Sequence, residues 1–112
     1  MRLISRQLAL DATDKDILTV PKRSVALARR LRIRNDTGAT RTITFQDRFT
    51  PDPSAGVPSP SAQTIDRYGK VIANATEWEL DGTAKPIFKI LNNLRVASDA
   101  TGCILSYTLE LT

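Results

Sequence analysis

The chain has 112 residues, of which 41% are hydrophobic and 25% are charged, and its formal net charge is +4. This length and composition are typical of one globular domain that folds without disulfides. The chain has a single cysteine, Cys103, so it cannot form a disulfide within itself. The absence of histidine excludes histidine-based acid–base, nucleophilic and metal chemistry. No apolar run is long enough to cross a bilayer and the N-terminus lacks a signal-peptide core, so we expect a soluble chain made in the cytoplasm.

Apolar and polar residues alternate along the first half of the chain, which is the pattern of half-buried strands. Residues 3–10 and 17–20 predict two strands. A third covers residues 25–34, with a bend near Arg29 and with a buried face of Val25, Leu27, Leu31 and Ile33. A fourth covers residues 40–49, and the turn Asn35-Asp36-Thr37-Gly38 predicts that the third and fourth strands form a hairpin.

Residues 50–62 interrupt this alternation because they hold four of the six prolines. Proline cannot donate to a sheet ladder, so the segment predicts an extended surface loop. A long loop of this kind inside a compact domain is often functional. After it, residues 65–72 fit a short helix or an edge strand equally well.

The second half returns to strand patterns. In residues 76–80, Trp78 and Leu80 face the core while Glu77 and Glu79 face the solvent. Residues 87–91 are apolar on both faces and predict a central strand. Residues 94–97 and 103–111 predict two more, the last with Cys103, Leu105, Tyr107, Leu109 and Leu111 on its buried face.

These elements predict an all-β fold of seven or eight short strands with turns about every ten residues. The predicted architecture is a single-domain antiparallel β-sandwich, jelly-roll-like, over residues 1–112. Residues 1–11 are a candidate N-terminal arm, and residues 50–62 form the extended loop.

Candidate catalytic chemistry is sparse. Glu77 and Glu79 lie about 7 Å apart on one strand face, but that face is solvated, which favours a structural role. Asp47 interrupts an apolar face, either as an inward charge that protects an edge strand or within a bulge. Cys103 begins an apolar strand and is interpreted as a buried, inert thiol. We predict no catalytic residue, no metal site and no cofactor.

Arginines on one strand face form a basic stripe of Arg30, Arg32 and Arg34. Such a stripe could be an ordinary solvated face, a contact for an acidic protein surface, or a phosphate-binding strip. No aromatic residue alternates with these arginines, although sheets that bind single strands usually carry exposed rings for base stacking. All three interpretations stay open from the sequence.

Several segments together resemble small β-sandwich proteins of tailed-phage particles, namely decoration, cement or tail-associated subunits. The resemblance runs over residues 17–111 without the proline-rich segment. It is carried by Ile17-Leu18-Thr19-Val20-Pro21, by Ala28-Arg29-Arg30-Leu31-Arg32-Ile33-Arg34-Asn35, and by the alternating residues 37–45. Lys22-Arg23-Ser24 stands where those proteins have a glycine-rich turn. The resemblance implies a subunit that assembles as a symmetric homo-oligomer in a virion.

We therefore expect a non-enzymatic structural subunit that acts through protein–protein contacts with other subunits of the same particle. The alternatives are a carbohydrate-binding β-sandwich module and a nucleic-acid binder using the arginine-rich strand. Neither a membrane nor a nucleic acid is an expected partner. The candidate interface residues stand out by composition, and they are Arg30, Arg32, Arg34, Pro51, Pro53, Val57, Pro58 and Pro60.

Overall fold

The computed structural model describes residues 2–50, 61–82, 84–99 and 101–112. In these ranges every regular element is a β-strand. The strands are β1 (Arg2–Ala9), β2 (Lys15–Thr19), β3 (Ala26–Asn35), β4 (Arg41–Phe49), β5 (Gln63–Ile72), β6 (Thr76–Asp81), β7 (Lys89–Ile90), β8 (Asn93–Ser98) and β9 (Cys103–Leu111).

The strands form two antiparallel sheets that pack face to face. One sheet has the order β1-β9-β3-β6, with β7 also pairing with β3, and the other has the order β2-β8-β4-β5. The pairs β4·β5, β3·β6, β2·β8 and β1·β9 nest inside one another along the chain. This arrangement is a long hairpin rolled into a sandwich, which is the jelly-roll topology. It confirms the predicted fold class.

The core lies between the two inner faces. Its largest fully buried side chains include Leu31, Ile33, Ile43, Phe45, Leu94, Leu105 and Leu109. Strand β9 contributes through alternate residues from Cys103 to Leu109, as its sequence pattern predicts. Within the described residues, no buried side-chain nitrogen or oxygen lacks a hydrogen-bond partner.

Strand β3 contains a bulge near Arg29, where the sequence predicted a bend. The buried face that the alternation predicted before this bend is wrong. The register of β3 against β9 shifts between Ala28 and Arg30, so Arg29 is the extra residue. The buried residues before the shift are Ala26 and Ala28, and the predicted Val25 and Leu27 are only half-buried. Alternation alone could not place these faces, because one extra residue exchanges the two sides of a strand.

The segment that follows β6 packs closely against the bulge. Arg29 donates from Nε to Glu110 (2.6 Å) and from a terminal guanidinium nitrogen to the Gly82 carbonyl (3.1 Å). The Gly82 amide donates to the Arg29 carbonyl at 2.7 Å. A Cβ at Gly82 would lie 2.9 Å from the Ala28 carbonyl oxygen, so this close approach requires glycine.

The predicted hairpin of β3 and β4 is wrong, because the two strands belong to different sheets. The intervening turn instead carries the chain across the sandwich, with Gly38 at a φ of 89°. Asn35 is fully buried and donates to the carbonyls of Ala39 and Ile72, both at 2.9 Å. The side-chain oxygen Oδ1 of Asn35 accepts a hydrogen bond from the Thr37 backbone amide at 3.0 Å. The asparagine side chain therefore ties the turn to β5 in the opposite sheet.

Two more expectations are corrected by the strand assignments. Residues 87–91 are not a central strand, because β7 is two residues long and Leu91 is exposed. Residues 2–9 form β1, as the strand predicted over residues 3–10 indicates, and they pair with β9 in the sandwich instead of forming the candidate arm. The alternatives left open for residues 65–72 resolve to β5, which is an edge strand.

Asp47 is buried to 1% exposure, but the edge-strand explanation for it is wrong. Strand β4 lies between β8 and β5, so it has no free edge to protect. The carboxylate instead accepts hydrogen bonds from the backbone amides of Leu91 (2.9 Å), Asn92 (3.1 Å) and Asn93 (3.3 Å). Arg67 lies 3.8 Å away. Asp47 therefore holds the bend that connects β7 to β8.

The turn after Pro21 forms without glycine. The Ser24 amide donates to the Pro21 carbonyl at 3.1 Å, and Arg23 adopts a φ of 66°. Residues other than glycine seldom take this left-handed conformation. Arg23 therefore occupies the position at which a glycine-rich turn would place its glycine.

We predict that Gly82→Ala destabilises the protein by about 1–3 kcal/mol, because the added methyl overpacks the bulge. Gly69→Ala is the matched control, since a Cβ there would have its nearest neighbour at 4.0 Å. Urea unfolding of both variants measures the difference. Equal midpoints for the two variants would contradict the role of Gly82.

We predict that Asp47→Ala lowers the free energy of unfolding by about 1–3 kcal/mol, since it removes the acceptor of three partly buried amides. Asp66 is an exposed aspartate on β5, so Asp66→Ala is expected to change stability by less than about 0.5 kcal/mol. Thermal and urea unfolding measure both. A loss at Asp47 no larger than that at Asp66 would show that the bend does not depend on the carboxylate.

Candidate functional site

The arginine stripe lies on the outer face of β3, and each of its members has an acidic partner. Arg30 donates to Glu79 (Nε to Oε1, 2.8 Å), and Arg32 Nε lies 2.6 Å from Glu77 Oε1. Arg34 Nε donates to Asp36 Oδ2 at 2.6 Å, and this hydrogen bond raises the pKa of Arg34. The stripe is therefore a row of exposed ion pairs in which much of the positive charge is already neutralised.

A shallow polar groove of about 390 Å³ lies beside the stripe. It crosses β1, β9 and β3, and its lining includes Ser5, Gln7, Ser106 and Thr108 together with Arg30 and Arg32. These groups can hydrogen-bond a polar ligand. Tyr107 is the one ring residue in the lining, and it is buried at 6% exposure, so it does not present the exposed aromatic platform expected for a carbohydrate module.

The aromatic residues instead close one lateral side of the sandwich, between the edge strands β5 and β6. Tyr68 and Trp78 stack with ring centroids 6.1 Å apart, and Lys70 Nζ lies 5.5 Å from the centroid of Trp78. Phe88 stacks on Phe45 at 5.1 Å and lies 6.3 Å from Tyr68. These rings connect the two sheets and cover the core on this side.

The other lateral side, between the edge strands β1 and β2, is open. A groove of about 400 Å³ runs there, which we call the β1–β2 groove. Its walls combine apolar side chains with two arginines of β1. The lining residues are Arg2, Ile4, Arg6, Ile17, Leu18, Thr19, Pro21, Tyr107, Leu109 and Leu111.

Arg2 and Arg6 point toward the groove because they share a face with core residues of β9. The register pairs Arg2 with Leu111 and Arg6 with Tyr107, and cross-strand partners lie on the same side of a sheet. Burial raises the pKa of the Tyr107 hydroxyl, while the nearby Arg6 acts in the opposite direction. In the described part of the chain, no carboxylate lies within ion-pair distance of Arg2 or Arg6.

Sequence reasoning missed this groove, although a signal for it was present. The period of two places Arg2, Ile4, Arg6 and Leu8 on one face of β1. A face that mixes arginines with apolar residues is typical of an edge strand whose inner side is only partly covered. The sequence predicted a strand here, but it did not indicate that this strand lies at the edge of its sheet.

The remaining predicted candidates do not converge on a site. Glu77 and Glu79 are exposed and paired with arginines. Cys103 is fully buried, as predicted, and burial raises the pKa of its thiol. The interface candidates Pro51, Pro53, Val57, Pro58 and Pro60 lie outside the described residues. Among the residues that the structure covers, no group of acidic or cysteine side chains could hold a metal ion.

Comparison with known proteins gives limited information. No protein-family model matches the chain, and no curated protein matches it either. A similar solved structure is that of Clostridium thermocellum N-terminal endo-1,4-β-D-xylanase 10B, containing CBM22-1 and GH10 modules complexed with xylohexaose. The TM-score is 0.47 at 10% sequence identity, and the match covers 96% of this chain but 24% of that one. A likeness of this degree supports no argument about function. The described residues include no helix of the length and apolarity needed to span a membrane.

We predict that the unpaired arginines, and not the stripe, control binding to polyanions. Arg2→Gln with Arg6→Gln is expected to shift elution from heparin to clearly lower salt, because free charges release more counterions than ion-paired ones. Arg30→Gln with Arg32→Gln removes the same charge and is expected to shift elution less. A larger shift for the second pair would restore the stripe as the basic site.

Proposed function

We propose that this chain is a non-catalytic jelly-roll subunit that binds other protein chains within a larger assembly. We further propose that the β1–β2 groove is its contact surface. The observation that supports this is the asymmetry of the sandwich. Aromatic rings cover the β5–β6 side, whereas the β1–β2 side leaves a groove of apolar and basic side chains between two strands that are edge strands among the described residues.

The groove has the features of a protein contact. Exposed apolar area bordered by polar groups is typical of interaction sites, and a free strand edge can pair with another chain. Arginine is also enriched at protein interfaces. Covering the groove would bury the half-exposed Ile17, Leu18 and Leu111, so a partner would gain hydrophobic as well as electrostatic stabilisation.

A virion is the assembly that we propose, on the strength of the sequence resemblance to decoration, cement and tail-associated subunits of tailed phages. In such a particle, homo-oligomerisation would present many identical weak contacts, which give high avidity together. The jelly-roll topology is compatible with this proposal, since capsid proteins use it, as do lectins.

The two rival functions have weaker support. A carbohydrate module would need exposed aromatic rings, and none of the six aromatic residues of the chain is exposed. A nucleic-acid binder would need a free basic strip, and the arginine stripe is ion-paired. Of these two alternatives, the ligand-binding module has the better support, because the polar groove beside the stripe could hydrogen-bond a small polar ligand.

Light scattering of the purified chain at low and moderate salt tests the proposal. We expect a discrete oligomer that is stable to salt. Leu18→Ala is expected to weaken association by roughly tenfold, because it removes apolar area from the groove. Leu3→Ala is the matched control, since Leu3 is an exposed leucine on β1 that does not line the groove.

Circular dichroism would confirm that both variants keep the fold. The mass of a single 12.3 kDa chain under all conditions would contradict homo-oligomerisation. An oligomer that is equally stable in both variants would show that it does not form through the groove.

A further inference from the structure

The β1–β2 groove also indicates what kind of partner it accepts. We propose that it binds an extended, acidic segment of a different protein chain, which adds as a strand to the free edge of β1. This inference rests on the proposed function, because it assigns a partner to the same surface.

The charge pattern of β1 is the first argument. Among the described arginines, Arg29, Arg30, Arg32, Arg34, Arg67 and Arg95 each have a carboxylate within 4.0 Å. Arg2, Arg6, Arg23, Arg41 and Arg48 do not, and Arg2 and Arg6 are the two of these five that line the β1–β2 groove. A partner that supplies carboxylates at these two positions would pair both charges.

The spacing of the two arginines defines the partner segment. Arg2, Ile4 and Arg6 occupy successive positions on the inner face, so the arginines are about 13 Å apart along the strand. A strand paired with β1 places its residues directly opposite these three. The complementary segment therefore carries acidic, apolar and acidic residues at every second position, with the apolar side chain entering the groove.

The backbone of β1 can accept such a strand. β1 pairs with β9 on one side and lies at the end of its sheet, so its other edge is free. Strand addition satisfies the unpaired amides and carbonyls of an edge, while side-chain positions provide specificity. Inward-facing arginines also disfavour pairing with neutral or basic strands, so the same two residues select against incorrect partners.

A second copy of this chain does not fit the requirement. None of the strands in the described residues presents acidic, apolar and acidic side chains in alternation on one face. The edge strand β6 carries Glu77, Glu79 and Asp81 in succession, but on a face without an apolar residue between them. The strand that adds to β1 is therefore part of a different and acidic chain, and the association between copies that Leu18→Ala tests uses the β2 side of the groove.

Isothermal titration calorimetry of the full chain with synthetic peptides tests the proposal. The glutamate peptide has glutamate, valine and glutamate at alternate positions with threonine between them. The lysine peptide replaces both glutamates by lysine. The methylated peptide keeps the glutamates but carries N-methylated amides, so it cannot form a ladder. We expect the glutamate peptide alone to bind, with amide chemical-shift changes in residues 2–9.

Protein variants then assign the charges. Arg2→Gln with Arg6→Gln is expected to weaken binding of the glutamate peptide by roughly tenfold, which is the range for the loss of two exposed ion pairs. Arg30→Gln with Arg32→Gln, which removes the same charge from the outer face, is expected to leave binding unchanged. Arg2→Glu with Arg6→Glu is expected to reverse the preference and bind the lysine peptide.

Four results would overturn the proposal. These are no binding of the glutamate peptide, equal binding of the lysine peptide to the native chain, equal binding of the methylated peptide, or unchanged affinity in the Arg2→Gln and Arg6→Gln variant. Equal binding of the methylated peptide would indicate a general polyanion site. A discrete oligomer in light scattering with no peptide binding would retain the proposed function and reject the acidic strand.

Discussion

The bulge in β3 fixes the geometry on which the rest of the sandwich depends. Strand β3 pairs with β9 along its length, with β7 near its start and with β6 near its end, so its register sets the relative positions of the whole sheet. Without the extra residue at Arg29, Ala26 and Ala28 could not share the inner face with Leu31 and Ile33. The cost of the irregularity is offset locally, because the Arg29 guanidinium binds Glu110 and Gly82 and the Arg29 carbonyl accepts from the Gly82 amide. The same shift directs Arg30, Arg32 and Arg34 to the solvent, where acids neutralise them.

Two buried polar side chains hold the connections between strands. Asn35 binds the β3–β4 turn to the end of β5, and Asp47 collects three consecutive amides between β7 and β8. Both act through backbone groups, which have no other obvious acceptor or donor once the chain leaves a regular ladder. In a rolled hairpin most contacts join residues that are distant in the chain. Side chains that hold the connections between strands therefore help to define which strands become neighbours.

The two lateral sides of the sandwich differ, since aromatic rings close one side and a groove remains on the other. Tyr68 and Trp78 bring enough apolar area to bridge the sheets between β5 and β6, and Lys70 covers the outer ring. On the opposite side β1 and β2 provide smaller aliphatic side chains with Arg2 and Arg6, and a groove remains between the sheets. In the proposed contact, the position of the bulky rings decides which side is available, and the unpaired arginines decide the charge of the proposed partner.

The sequence alone predicted the strand content, the all-β class, the buried face of β9 and the turn near Gly38, because alternation and turn chemistry are local properties. It also indicated the fold type, since short strands with regular turns favour a sandwich. It did not determine that β3 and β4 lie in different sheets, that Asp47 binds a distant bend, or that the arginine stripe is ion-paired. Each of these depends on residues far apart in the chain, for example Glu77 and Glu79 beside β3 or residues 91–93 beside Asp47. The β1–β2 groove belongs to the same category. Its residues carry a visible pattern in the sequence, but tertiary packing makes β1 an edge strand and leaves Arg2 and Arg6 beyond ion-pair distance of every described carboxylate.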